Sequence, residues 1–454
     1  MTSGKIGDCD ANAFSRRAVL GMAAGVLASA AGPQPRADSG SGLAGHWAGT
    51  AQLPGDPMSF SIDLRSTANG GLAGMIDIPS SGVMRLPLRD VAASSGGLRF
   101  GVPFGGAAIP FSGRVDGESI LGQLTLGPQS APFRLERQAT PHPPYREEPI
   151  EFANGPVKLA GTLFVPNTLA RYPVILFQQS THPESRQPWV YWADWFAKRG
   201  VGGLIYDNRG TGASTGSPRV PFEQIASDGL AALAMLKARS DVGQVGLFAV
   251  SQGGWVAPLV ARRAGRKLAF VAMVSGPGTS IGETVLVEAR RELEARGFSA
   301  AEVEAGVAAK RRVERMIVAG ASDEAIDAAR AQVSAERWFE HIGLMPRGHW
   351  QRQWWRQVGG FDPAPHWRRV NIPVLDLYGG RDKELDPRAS MAALGAAFAG
   401  RRSRLLTQIL FEEADHALTV RKGIRPVRLP AAMDRLTQWV QHQVNAGQSR
   451  RLRR

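Results

Sequence analysis

Ser251 lies between a short apolar run, 245–250, and a helical pattern, 255–263, in Gln244-Val-Gly-Leu-Phe-Ala-Val-Ser-Gln-Gly-Gly-Trp255. A run of β-branched and aromatic residues that stops at Ser251-Gln252-Gly253-Gly254 reads as a buried strand, a sharp turn and a helix, the arrangement of a nucleophile elbow. Such a turn exposes the serine only if the residues two before and two after it are small, because larger side chains collide across the bend. Ala249 and Gly253 meet that need, although glycine is the usual residue where Ala249 stands. The alternative is a plain strand-to-helix turn whose serine caps the helix.

Serine attacks only when a base removes its proton, and the base must itself be held by a carboxylate. In an α/β sheet these partners come from the ends of later strands, in the chain order serine, acid, histidine. Asp382 follows the strand pattern 374–378 and His416 follows 405–410, and of the eight histidines only His416 falls in a strand-end loop near the C-terminus. Glu384, Asp386 and Asp376 are alternative acids, with Asp376 placed inside the strand pattern. Two backbone N–H groups must meet the developing oxyanion. The expected donors are Gln252, directly after the serine, and Ser180 in the loop 178–183.

The elements that would carry these residues alternate, strand then helix, across 148–446, which predicts a doubly wound, mostly parallel sheet. The alternation stops over 278–367, where charged helical patterns and a tryptophan-rich segment (Trp338, Trp350, Trp354, Trp355, Trp367) predict an inserted helical cap. Those tryptophans suit either a pocket lining or the packing of the cap onto the core. Upstream, 43–138 reads as about eight short alternating strands, an antiparallel sandwich or up-and-down barrel, joined to the sheet by a proline-rich connector, 139–147. Residues 1–31 contain Ser15-Arg16-Arg17-Ala-Val-Leu20 and a short Gly/Ala-rich apolar run, the pattern of a twin-arginine export signal, and predict a periplasmic or secreted protein. A linker, 32–42, follows the signal, and a basic tail, 447–454, closes the chain.

With 454 residues the chain is too long for one ordinary core. Its net charge of +14 comes from arginines scattered over helical patterns, without the aromatic-and-basic motifs of nucleic-acid binders, so no nucleic-acid partner is expected. The single cysteine, Cys9, would leave with the signal, which removes thiol catalysis and cysteine metal sites from the mature chain. No metal-ligand spacing or phosphate loop is present. Asp207-Asn-Arg-Gly-Thr-Gly-Ala-Ser-Thr-Gly216 has the wrong glycine spacing for a dinucleotide site. No cofactor or metal is expected, nor a stable membrane span once the signal is removed. The partner implied is a small ester or acyl substrate, with the oligomeric state open.

Residues 145–445 resemble the α/β-hydrolase superfamily, most closely secreted bacterial serine esterases with an N-terminal β domain, and are similar to prolyl-oligopeptidase-type catalytic domains through Ser251-Gln-Gly-Gly254. The resemblance rests on Leu159-Ala-Gly-Thr-Leu163, 207–216, the elbow, Phe361-Asp-Pro363, Pro373-Val-Leu375 with Asp382, Asp415-His416, and Gly45-His-Trp-Ala-Gly49 of the β domain. It implies Ser251 as nucleophile, Asp382 as acid and His416 as base. Where such enzymes carry His-Gly, this chain has Gln178-Gln179, and loss of the glycine is expected to narrow the backbone approach at Ser180. The expected reaction is ester hydrolysis through an acyl-enzyme. The alternatives are an exported peptidase or amidase, an acyltransferase, or a non-catalytic envelope-binding protein on a degenerate scaffold.

Overall fold

A computed structural model describes residues 40–94, 96–104, 107–167, 170–180 and 184–452. The export-type segment 1–31, most of the linker, Thr181-His182-Pro183 of the oxyanion loop and the last two arginines of the tail lie outside them.

The N-terminal domain is a nine-stranded antiparallel meander: β1 (Gly45–Ala51), β2 (Met58–Ser66), β3 (Leu72–Ile78), β4 (Val83–Pro87), β5 (Arg89–Ser94), β6 (Gly97–Phe104), β7 (Ala107–Asp116), β8 (Ser119–Leu126) and β9 (Gln129–Gln138). Its order, β4-β3-β2-β1-β9-β8-β7-β6-β5, puts the sequence neighbours β4 and β5 at opposite ends, so the sheet curls into a nearly closed barrel rather than a sandwich. Period-2 alternation turns one face of each strand inward. There Phe111 packs against Phe100, Phe133 and Phe60 at ring-centroid separations of 4.8, 5.5 and 5.7 Å. Nine strands stand where about eight were expected, with 83–94 divided into β4 and β5. Arg85 and Asp90 take positive φ values of 51° and 50°, and Pro87, which cannot donate to a ladder, ends β4.

The second sheet comprises β10 (Tyr145–Asn154), β11 (Val157–Pro166), β12 (Tyr172–Phe177), β13 (Gly202–Tyr206), β14 (Val242–Val250), β15 (Val271–Val274), β16 (Val374–Gly379) and β17 (Leu406–Phe411). β10 begins inside the range read as connector. The order is β10-β11-β13-β12-β14-β15-β16-β17, antiparallel as far as the β11/β13 pair and parallel from β13 onward. Helices α1 (Val190–Ala197), α2 (Phe222–Ala238) and α3 (Gly253–Ala264) connect its first half and cover its faces. That cover explains why β12 and β13 are buried along their whole length. The chain leaves the neighbouring strands β12 and β14 toward opposite edges of the sheet, and ligand crevices open outside strand ends at such a switch point.

Between β15 and β16 lies the cap: α4 (Ile281–Ala295), α5 (Ala300–Val318), α6 (Asp323–Ala331), α7 (Trp350–Val358) and α8 (Ala364–Trp367). Ser280 and Ser299 start α4 and α5 with capping boxes closed by Glu283 and Glu302. After α9 (Pro387–Ala397) and β17 comes a two-stranded hairpin absent from the sequence reading, β18 (Thr419–Lys422) and β19 (Arg425–Arg428). Strands of four residues carry too little periodicity to be read. The last helix, α10 (Pro430–Leu452), runs on into the range read as a tail. Among the described residues no helix is long and apolar enough to cross a membrane.

Candidate active site

Ser251 follows β14 directly, in a left-handed conformation with φ 51°, a strained backbone for a side-chain-bearing residue. The turn is closed on both sides: the Ser251 N–H donates to Val274 O at 2.9 Å and the Gly254 N–H donates to Ser251 O at 2.7 Å. A Cβ on Gly253 would sit 3.1 Å from Gln178 O, tight enough that the neighbour must give by a few tenths of an ångström, and one on Gly254 would sit 2.8 Å from Gly276 Cα, closer than real Cβ atoms approach. The position that demands glycine is therefore Gly254, one beyond the position argued from the motif, because α3 is pressed there against the chain leaving β15. Ala249 is fully buried beneath the turn, and its methyl group is accommodated.

The acid loop leaves β16 through Gly379-Gly380, and both glycines touch the histidine loop. A Cβ at Gly379 would fall 2.1 Å from Asp415 O, and one at Gly380 would fall 2.6 Å from Glu412 Cα. This contact brings Asp382 to His416, with Oδ2 2.7 Å from the imidazole Nδ1. The other carboxylate oxygen accepts the N–H groups of Glu384 (2.8 Å) and Leu385 (3.1 Å), so the whole carboxylate is oriented. From the cap, Arg291 on α4 donates to the carbonyls of Asp382 and Leu385, both at 2.8 Å.

The far nitrogen of His416, Nε2, is buried, has no hydrogen-bond partner among the described residues and lies 3.6 Å from Glu384 Oε2. Burial favours the neutral ring, but the charge and hydrogen bond of Asp382, then Glu384 and Asp415, outweigh it and push His416 up to about 9. Of the alternative acids, Asp386 caps α9, accepting the Ala389 N–H at 2.9 Å. Asp376 is fully buried within β16, where burial holds its carboxyl well above the usual range. Glu384 faces the other side of the histidine from Asp382.

Ser251, His416, Glu384, Gln252 and Ser180 line one cavity of about 220 Å3 between the sheet and the cap. Trp189 and Trp192, Trp255 on α3, and Trp350, Trp354 and Trp355 on α7 contribute to its apolar wall. The tryptophans divide between the two roles expected of them: Trp338 and Trp367 are buried in the core, whereas the α7 group faces the cavity.

Ser180 is held by its carbonyl, which accepts the Asn208 side-chain amide at 2.7 Å. The turn 207–216 is thus a structural support: Asp207 accepts the N–H groups of Arg186 (2.8 Å) and Ala213 (3.0 Å), and Arg209 pairs with buried Asp228 at 2.6 Å. The narrowing expected from Gln178-Gln179 does not occur by side-chain intrusion, because both amides turn into the core. Gln178 donates to Gln179 O at 2.9 Å, Gln179 donates to Tyr206 O at 2.5 Å and accepts the Trp189 indole N–H at 3.1 Å, and neither lines the cavity. Gly229 on α2 makes room, since a Cβ there would fall 2.2 Å from Gln178 Oε1.

A protein-family model for the X-Pro dipeptidyl-peptidase (S15 family) matches residues 154–417, more than half of the chain. The chain belongs to the S15 family. The matched span opens at the β10–β11 hairpin and closes just after His416, so it holds all three residues of the Ser251, Asp382 and His416 constellation and leaves out the barrel.

No curated protein matches the S15 chain in sequence. Among solved structures it is similar to DcsB in complex with its substrate analogue, at 16% identity over 66% of this chain and 100% of that one, TM-score 0.42. It is similar to Est1E from Butyrivibrio proteoclasticus at 14% identity over 65% and 99%, TM-score 0.40. A thermophilic esterase from Thermogutta terrifontis gives 17% identity over 66% and 99%, TM-score 0.38.

Residues the sequence reading missed in this S15 site are Asn208, Arg291 and three cavity glutamates. Burial pushes Glu184 up to about 7 and Glu288 up to about 8, the latter against the pull of Lys310. Burial also raises Glu314, which sits 2.8 Å from the Lys310 ammonium. Glu288 was legible: it stands one turn after Thr284 on the face of α4 that also carries buried Val285 and Ala289, an acidic residue in an apolar stripe.

Proposed function

We propose that the chain is a serine hydrolase that cleaves carboxylic esters through an acyl-enzyme. The observation that carries this reading is the oriented Asp382–His416 pair, 2.7 Å apart, whose histidine lines the same cavity wall as strained Ser251. His416 takes the Ser251 proton as Oγ attacks the ester carbonyl, and the N–H groups of Gln252 and Ser180 receive the oxyanion. The intermediate collapses, His416 returns the proton to the leaving alkoxide, and the alcohol departs. Water activated by the same histidine then attacks the acyl-enzyme and restores Ser251.

A second reading, amide hydrolysis near a free amino terminus, is favoured by family membership and by Glu184, Glu288 and Glu384 in the cavity wall, Glu314 being paired with Lys310. A substrate ammonium would draw the raised Glu184 and Glu288 into their charged forms and pair with them, and a neutral acyl chain does not.

Hydrolysis of a chain-length series of p-nitrophenyl esters beside aminoacyl p-nitroanilides, by the wild type and Ser251→Ala, separates the two. The expected outcome is turnover of esters that falls by roughly four orders of magnitude or more in the variant. Turnover of the anilides alone selects the peptidase reading, and full ester activity in Ser251→Ala refutes both.

A further inference from the structure

Among the described residues the barrel supplies none to the cavity wall, yet it holds the segment that follows the histidine. His416 stands in a loop that is strained one step later, since Leu418 is left-handed with φ 55°, a conformation that persists only where the surroundings impose it. Part of that imposition is local. Asp415 accepts the N–H groups of Ala417 (3.0 Å) and Thr419 (2.8 Å) and the Thr419 hydroxyl (2.6 Å), and His416 O accepts the Ser275 hydroxyl at 2.7 Å.

The rest comes through the β18–β19 hairpin. The Leu429 N–H donates to Leu418 O at 2.9 Å, and Arg428 reaches back to Ala417 O while its guanidinium lies against the rings of Trp192 (4.9 Å) and Tyr191 (5.3 Å). Two strands of four residues do not hold their own shape in water. What shapes them is the barrel. Arg425, buried at the interface, donates to Ser80 Oγ at 2.6 Å and pairs with Asp56 at 3.1 Å. Ser81 donates to Pro426 O at 2.9 Å, and the hairpin turn at Gly423 is seated so closely on the β1–β2 turn that a Cβ would fall 2.0 Å from Pro54 O.

We propose that the N-terminal barrel is a positioning module for His416, acting through the β18–β19 hairpin, with Arg425 as the positioning residue. It rests on the reading of His416 as the base. The hairpin lies beyond the span matched by the family model, so the barrel and its grip are additions outside the matched core. Asp56 and Arg425 do not touch the reacting atoms. They act by fixing the backbone on which the imidazole is carried.

The test uses the full-length chain with Arg425→Ala, Arg425→Lys, Ser80→Ala and His416→Ala, each assayed for kcat, KM and the rate of Ser251 labelling by a fluorophosphonate. Displacing a catalytic group by about an ångström costs roughly ten- to a hundredfold. Arg425→Ala is expected to lower kcat and the labelling rate by that factor with KM within about twofold, and Arg425→Lys to recover part of the loss. Ser80→Ala, a mild change, is expected to lower kcat in the same direction by a smaller factor and decides the matter if Arg425→Ala fails to fold. A folded Arg425→Ala protein with wild-type kcat and labelling, beside an inactive His416→Ala, overturns the positioning role alone. An active His416→Ala overturns the reading beneath it.

Discussion

The barrel and the α/β sheet are both strand-built and both well buried, yet they dispose of polar groups in opposite ways. Inside the barrel the inward positions are apolar, with Phe60, Phe100, Phe111 and Phe133 filling the centre. The α/β domain buries Gln178, Gln179, Asp207, Asp376, Asp382 and His416, several of them at strand ends. Closure explains the contrast. A nearly closed meander has little edge and no divergence of loops, so its interior can only be filled. An open sheet whose chain departs to opposite sides at β12 and β14 leaves a crevice, and polar groups can be held there by backbone N–H donors. The barrel accordingly meets the β18–β19 hairpin through its outer turns, and the α/β domain gathers its buried polar groups at the crevice.

The largest effect expected from sharpening this contrast is at the acid. Asp382→Asn keeps the shape of the loop but removes the acceptor that fixes the histidine tautomer, and kcat on a p-nitrophenyl ester should fall by about 10^4 with the fold intact. A loss under tenfold would move the acid role to Glu384. Next is the barrel core. Phe111→Ala leaves a cavity among three other rings and should lower unfolding stability by about 3–5 kcal/mol in a denaturant titration. A neutral result would show that the barrel is not packed as a filled interior.

The smallest effect concerns Glu384. His416 is pushed up to about 9 partly by this carboxylate, and as a base it works only when deprotonated, so kcat/KM should rise with pH through a midpoint well above the ordinary histidine value. Glu384→Gln removes a raising influence, so the midpoint must move to lower pH. An opposite charge within about 4–6 Å moves a pKa by roughly 1–3 units, and with Glu384 still in partial contact with solvent the expected shift is about one pH unit. A midpoint that stays put or rises would place the charge of Glu384 away from the imidazole.

The sequence told most where chain order and strand ends constrain chemistry. Ser251, Asp382 and His416 stand out because each follows an apolar run, and the structure brings Asp382 and His416 together and sets Ser251 on the wall of the same cavity. The barrel alternative was open because alternation fixes which residues face inward without saying whether the last strand meets the first. What stayed hidden depends on contacts between distant segments. Gln178-Gln179 reads as an obstruction, and only the space left by Gly229 shows that it is a core contact. The β18–β19 hairpin has no periodic signal of its own and takes its shape from Asp56, Ser80 and Ser81, more than 300 residues earlier in the chain.

Arg291 ties the cap to the acid loop through two main-chain carbonyls, and this limits how the molecule can breathe. If α4 swung away like a door, both hydrogen bonds would break and the loop carrying Asp382 would lose its upper support at the moment of opening. The α4 end of the cap is therefore latched to the acid loop, and opening there would have to break both hydrogen bonds at once.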